Sequence, residues 1–219
     1  TAAFTCSLSG VVPGDDVTCA GGTATFADRN VGTGKLVTAT GLTLGGADAS
    51  NYTISSTSAT DTADINQLAI TVTAATDTKV YDGTTTSSGV PTITFGALGT
   101  GDTATWTQTF NTKHVGINKT LTPSGTVSDG NGGANYTVTL ANNTTGEITQ
   151  RTITVTAVTD TKVYDGTTSS TGVPTITTGT LGTGDNDTWA QTFDTPLVGT
   201  GKTLTPAGTV NDGNGGNNY

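Results

Sequence analysis

Ile70 to Tyr136 reads ITVTAATDTKVYDGTT…TLTPSGTVSDGNGGANY, and Ile153 to Tyr219 reads ITVTAVTDTKVYDGTT…TLTPAGTVNDGNGGNNY. The two align without a gap at a shift of 83 residues, and 51 of 67 positions are identical. A fixed period of this kind marks a tandem array, in which each repeat is a folding unit that docks on its neighbour. A more distant copy precedes them. Phe26–Lys35 (FADRNVGTGK) matches Phe193–Lys202 (FDTPLVGTGK), and Gly45–Thr53 (GGADASNYT) matches Asp129–Thr137 (DGNGGANYT). TADINQLAITV then leads into the second copy as TGEITQRTITV leads into the third. The expected modules are 1–69, 70–152 and 153–219. The first lacks the opening ITVTA…VYDGTT portion and the third lacks the counterpart of Thr137 to Arg151, which reads as an excerpt from a longer array.

The chain contains 56 Thr and 31 Gly among 219 residues. Thr fits a pleated, half-exposed surface because of its β-branch, and Gly supplies the tight turns between strands. No stretch of more than a few residues places apolar side chains at helical spacing, so the fold class is all-β. Within the second repeat, strands are expected at Ile70–Ala74, Thr78–Tyr81, Thr92–Phe95, Thr103–Phe110, Lys119–Val127, Tyr136–Leu140 and Glu147–Gln150. Asp82-Gly83, Gly99-Thr100-Gly101-Asp102 and Asp129-Gly130-Asn131-Gly132-Gly133 punctuate them as turns. Seven short strands per repeat point to small β-sandwich-like modules, with a β-grasp-like sheet as the alternative, in an elongated array. The closeness of Ile148 to Ile153 allows one strand to run from one repeat into the next.

Charge narrows the function classes. Eight basic against 17 acidic residues give a net charge of −9, spread along the chain. Such a surface repels phosphate backbones, so nucleic acid is not an expected partner. No run of 18 apolar residues is present, so this segment is not expected to insert into a membrane as a helix.

The KVYDGTT segment, at Lys79–Thr85 and Lys162–Thr168, resembles the YDG-type repeats of bacterial surface adhesins. LSGVVPGDDVT, FADRNVGTGK, TGLTLGGADASNYT and the closing I-x-Q of the first module are similar to that family too, as are VGxxK and NY in the later copies. The resemblance implies a secreted or cell-surface stalk of a Gram-negative-type bacterium, of the filamentous-haemagglutinin-like kind, often serving attachment and biofilm. It carries over no catalytic residue. Cys6, Cys19, Trp106 and Trp189 depart from the usual repeat.

His114 is the only histidine and its counterpart is Leu197, so no His-dependent triad can recur. Asp77, Asp82, Asp102 and Asp129 recur as Asp160, Asp165, Asp185 and Asp212, mostly beside glycine, where Asp caps its own backbone. No enzyme activity and no cofactor are expected. Calcium is the chemical alternative at Asp129-Gly-Asn131-Gly-Gly-Ala-Asn135 and its copy from Asp212 to Asn218, although each loop offers a single carboxylate and the first copy has only Asp48 and Asn51 there. A Lys–Asn amide cross-link is a further alternative for Lys79/Lys162 or Lys119/Lys202 with Asn135/Asn218, helped by Glu147. Trp106 and Trp189 are read as core anchors, the alternative being a carbohydrate-stacking platform.

Cys6 and Cys19 are the only cysteines, and in a secreted protein an even count reads as a disulfide. Aligning Gly14-Asp15 with Gly101-Asp102 places Cys6 near Ile93 and Cys19 at Trp106, on two strands flanking one loop. A bridge there is worth roughly 3 kcal/mol by loop-closure entropy. The expected function is a structural spacer whose partners are neighbouring repeats, with surface glycans or host surfaces met through other domains. Two alternatives differ in class: a self-assembling extracellular filament built by strand complementation between copies, and a glycan-binding module.

Overall fold

The computed structural model describes residues 2–219, and it is an all-β chain. Strands form where Thr alternates with small or aliphatic residues, and they stop at Gly- and Asp-rich turns. The first repeat contributes β1 (Thr18–Phe26), β2 (Gly32–Gly45) and β3 (Ser58–Ile65), an antiparallel sheet in the order β1-β2-β3. Its register sets Ala24 opposite Ala39 and Phe26 opposite Val37. Ala24, Val37, Ala39 and Leu42 form a thin buried cluster, with the half-buried Cys6 and Cys19 packed against it. The two cysteines are joined in a disulfide, their Cα atoms 5.8 Å apart. The only helix among the described residues is the short 3-10 turn Ala49–Asn51. Among the described residues no helix is long and apolar enough to cross a membrane.

The second repeat holds β4 (Leu68–Thr73), β5 (Thr78–Val80), β6 (Thr92–Phe95), β7 (Thr103–Phe110), β8 (Gly116–Ser128), β9 (Tyr136–Ala141) and β10 (Asn143–Thr149). These make two sheets, ordered β6-β4-β9 and β5-β10-β8-β7. Two sheets in one repeat agree with a sandwich-like module, and there is no helix of the kind a β-grasp sheet wraps. The third repeat holds β11 (Thr154–Thr156), β12 (Thr175–Thr178), β13 (Asn186–Asp187), β14 (Ala190–Phe193), β15 (Leu204–Ala207) and β16 (Val210–Asn211), which pair as β11-β12, β13-β16 and β14-β15.

All seven strands expected in the second repeat are present. Thr92–Phe95 and Thr103–Phe110 have the expected limits, and the others differ by a few residues at their ends. One expectation fails. Ile148 and Ile153 do not share a strand: β10 ends at Thr149 before β11 begins at Thr154, just as β3 ends at Ile65 before β4 begins at Leu68. The intervening residues leave the ladder because their polar groups are used elsewhere, as described below.

By its contacts the chain divides into two compact units. One takes in the chain up to Ala69 with Leu98–Thr103 and Val127–Thr137, and the other Ile70–Ala97, Ala104–Thr126 and Val138–Tyr219. In the second unit the core is Ala74, Tyr81, Phe110, Leu121 and Ile148, with Val115 and Tyr219 packed against it. Fully burying a side chain such as Leu121 or Ile148 contributes about 1.5–3 kcal/mol. Tryptophan is not part of this cluster. Trp106 and Trp189 are half-buried, each against a glycine: a Cβ on Gly125 or Gly208 would fall 2.6 Å from the indole ring. The large core anchor is Tyr81 instead. A buried amide adds a polar strut, since Gln108 accepts from Ala75 N (2.7 Å) and donates to Ala75 O (2.9 Å) and Ser87 Oγ (2.9 Å). Gln191 repeats it on Val158.

Candidate functional site

Each unit contains one joint where a repeat meets the next, and matching residues build both. The joint begins with a loop. Asp129 accepts from the backbone N–H groups of Asn131 (2.7 Å), Gly133 (2.8 Å) and Asn135 (3.0 Å). Asp212 does the same with Asn214, Gly216 and Asn218. Burial disfavours charge on both carboxyls, but these three N–H donors outweigh it and hold each below the usual carboxylate range. Gly132 and Gly133, at φ 65° and 82°, supply the left-handed backbone that lets the chain curl around the carboxylate.

The loop closes on Asn-Tyr, and the tyrosine reaches a second turn. Tyr136 Oη donates to Asp102 Oδ2 (2.6 Å) and accepts from Gly99 N (2.6 Å). Tyr219 does so with Asp185 (2.7 Å) and Gly182 (2.6 Å), and Tyr52 with Asp15 (2.6 Å) and Val12 (3.0 Å). The Tyr–Asp pair is thus a device of all three repeats.

At the first joint, repeat one supplies Arg29. Its Nη2 lies 2.6 Å from Asp102 Oδ1 and 2.6 Å from Asp129 O, and its Nη1 donates to Thr100 O at 3.1 Å. Asn135 accepts from Val31 N (2.8 Å) and donates to Asn30 Oδ1 (3.2 Å). Gln67 clips the loop by donating to Ala134 O (3.0 Å) and Tyr136 O (3.3 Å), while Leu68 N donates to Asn135 O (2.9 Å).

The second joint substitutes residues but keeps the plan. Lys113 Nζ takes the place of Arg29, 3.2 Å from Asp185 Oδ1. Asn218 accepts from Val115 N (3.0 Å), and its Nδ2 lies 3.2 Å from His114 Nδ1. Gln150 donates to Asn217 O and Tyr219 O, each at 3.2 Å, and Arg151 N donates to Asn218 O at 2.9 Å. Here the YDG segment also reaches the following repeat. Tyr81 Oη donates to Asp185 at 2.9 Å, its ring meets Tyr219 edge-on at 5.6 Å between centroids, and Thr183 N donates to Asp82 O at 2.8 Å. Gly83 is required by this approach: a Cβ would fall 2.4 Å from the backbone N and O of Thr183. Asp185, with its side chain 1% exposed, therefore gathers two tyrosine hydroxyls and an ammonium. Such donors are what make a buried carboxylate tolerable. Burial, reinforced by Asp185, raises both phenols, Tyr219 to about 12.

The remaining candidates fall into place around the joints. Asp77 and Asp82 shape turns, accepting from Ser88 N (2.9 Å) and Thr84 N (2.8 Å), and Asp160 and Asp165 do likewise with Thr171 N (2.9 Å) and Thr167 N (2.9 Å). Asp102 and Asp185 are not turn caps of that kind; they are the hubs of the joints. Among the described residues no three His, Cys, Asp or Glu side chains gather as metal ligands, and the single carboxylate of each Gly-rich loop is engaged by its own backbone. Lys119 Nζ donates to Thr112 Oγ1 while Asn135 faces the first repeat, so the structure does not pair them for a cross-link. Sequence reading overlooked Arg29, Lys113, Gln67 and Gln150. The signals were a cation at the same place in FADRNV and FNTKHV, and the Gln of each I-x-Q.

The geometry defines a class of protein: all-β repeats in tandem, with a matching set of polar contacts at each junction. The chain belongs to the YDG domain family, whose model matches it in three consecutive segments, residues 1–60, 66–145 and 149–219. Neither curated proteins nor solved structures returned a match.

Proposed function

We propose that the chain is a run of structural spacer repeats from a secreted or cell-surface bacterial adhesin, serving attachment or biofilm cohesion without catalysis of its own. The observation that carries this reading is the joint. The most elaborate polar constellations of the molecule are spent on fixing one repeat to the next, with Arg29–Asp102 at one junction and Lys113–Asp185 at the other. The departures between copies, His114/Leu197, Phe95/Thr178 and Ala104/Asp187, suit spacers better than a shared ligand site. The Cys6–Cys19 disulfide supports an oxidising, extracellular location.

Small-angle scattering with light-scattering mass on the 219-residue chain tests the spacer reading. A monomer with the profile of three units held at fixed spacing is the expected result. A flexibly linked profile with no preferred spacing between repeats would sink it. Iodide quenching of Trp106 and Trp189 addresses glycan binding. Strong quenching that a panel of surface glycans relieves would replace the spacer with a binding module.

A further inference from the structure

The loop asparagine of each joint is held in one orientation by its neighbours. Asn135 Oδ1 accepts from Val31 N (2.8 Å) and from Asn131 Nδ2 (3.0 Å), which leaves its own Nδ2 to donate to Asn30 Oδ1 (3.2 Å). Asn218 is set in the same way. Its Oδ1 accepts from Val115 N (3.0 Å) and Asn214 Nδ2 (3.1 Å), and its Nδ2 lies 3.2 Å from His114 Nδ1. Turning the amide over would press its NH2 against two donors. His114 Nδ1 must therefore accept, which puts the proton of the neutral ring on Nε2. His114 and Asn30 hold the same place in FNTKHV and FADRNV. One joint thus uses an acceptor that does not titrate, and the other uses an acceptor that does.

We propose that His114 makes the second joint an acid-sensitive catch: a proton taken up at Nδ1 turns the acceptor into a donor and loosens the Asp212–Tyr219 loop from the second repeat, while the first joint stays closed. His114 is half-buried, so solvent protons reach it, whereas Asn218 is fully buried. The orphaned Nδ2 then has no water to turn to, and an unmet buried donor is costly. An imidazolium has an N–H at both ring nitrogens, so turning the ring restores nothing. The joint is built for the unprotonated ring. Its hold is complete near pH 8 and is lost as pH falls towards about 5, the range in which histidine changes charge. The inference rests on the geometry of the joint and not on the spacer role.

The charged and titratable groups around the ring are engaged elsewhere. Asp212 precedes Gly213, where a Cβ would lie 3.8 Å from the imidazole Cε1. Its carboxylate is spent on the N–H groups of its own loop, which hold it below the usual range against the effect of burial. Lys113 Nζ lies on Asp185 and is raised by Tyr81 and by Asp185. Arg151 Nη1 donates to Tyr81 O at 3.1 Å. Burial raises the phenols of Tyr81 and Tyr219. Among the described residues none of these forms an ion pair with the imidazole. His114 is the only histidine of the chain, so a change in this joint confined to the histidine range reports on it alone.

The test follows backbone amide protection in the full 219-residue chain from about pH 8 to about pH 5, corrected for the intrinsic pH dependence of exchange. Val115, whose N–H binds Asn218 Oδ1, is expected to lose protection at least about tenfold as pH falls. Val31, its counterpart on Asn135 in the first joint, is expected to hold. His114→Asn copies the first joint and should keep Val115 protected across the whole range. Imidazole nitrogen shifts of the unaltered chain near pH 8 should show the Nε2–H tautomer, a readout that needs no variant. An unchanged Val115, an equal fall at Val31, a fall that survives His114→Asn, or an Nδ1–H tautomer would overturn the catch.

Discussion

Lys79–Thr85 and Lys162–Thr168 are the same seven residues, KVYDGTT, in different surroundings. Their local bonds agree closely. Lys79 Nζ lies 2.8 Å from Asp82 Oδ1 and 2.9 Å from Thr84 O, and Lys162 Nζ lies 2.8 Å from Asp165 Oδ1 and 2.8 Å from Thr167 O. Yet Tyr81 is wholly buried and Tyr164 is mostly exposed. The clasp within the segment is a short-range product of its own sequence. Burial of its tyrosine is conferred from outside, by β10 and by the repeat that follows.

The largest expected contrast is at that tyrosine. Tyr81→Ala should destabilise the second repeat by about 3–5 kcal/mol, the cost of emptying a large buried site. Tyr164→Ala should stay within about 0.5 kcal/mol, as exposed substitutions do. Urea denaturation followed repeat by repeat through amide exchange would show it, and equal losses would break the comparison. The glycines sharpen it further. Gly166→Ala meets nothing within 4 Å and should cost only the left-handed backbone penalty, about 1–2 kcal/mol. Gly83→Ala adds a collision with Thr183, worth about 1–3 kcal/mol more.

Lys113→Met tests the cation of the joint. It leaves the buried Asp185 with tyrosine hydroxyls alone. Because Lys113 is itself 30% exposed, the expected loss is about 1–2 kcal/mol, below that for a wholly buried pair. The third repeat has Pro196 at this place, so Pro196→Met should change nothing measurable in thermal denaturation. The smallest effect is the response to base. The Tyr219 phenol is raised from 10.0 to about 12, chiefly by burial, so the folded joint holds its proton where the unfolded chain has lost it. Its stabilisation is complete below pH 10 and lost as pH rises from about 10 to about 12. Difference absorbance should find one phenol titrating near 12. Tyr164, exposed and outside any joint, is the control, and a Tyr164→Phe chain should retain that late step.

Much of this was legible in the sequence because the chain repeats itself. Period and turn chemistry fixed where strands begin and end, as at Thr92–Phe95 and Thr103–Phe110. The Cys6–Cys19 pairing followed from their being the only two cysteines, and laying the first repeat on the second placed them on strands flanking one loop. What was illegible crosses between repeats. Arg29 and Asp102 lie 73 positions apart, and Tyr81 and Asp185 lie 104 apart, so neither pairing has a local signature. Asp102 and Asp185 sit in Gly-Asp turns whose sequence looks no different from a plain cap. Trp106 misled for a related reason: size suggested a core anchor, but the core closes on Tyr81 and leaves the indole lying across Gly125. Gln108 escaped notice because a buried amide is recognised only by the backbone it bridges.

The parallel pairing of β5 with β10 has a consequence under load. The chain enters the second repeat through β4, passes on to β5 and leaves after β10, and β5 and β10 lie side by side in the same direction, Thr78–Val80 against Glu147–Thr149. Once β4 is drawn out of its own sheet, pulling on the two ends of the repeat slides β5 and β10 past each other lengthwise, so their hydrogen bonds strain together. Antiparallel neighbours pulled from adjacent ends would instead unzip one bond at a time. Extension of the repeat therefore meets a latch that resists up to a threshold and then gives way at once.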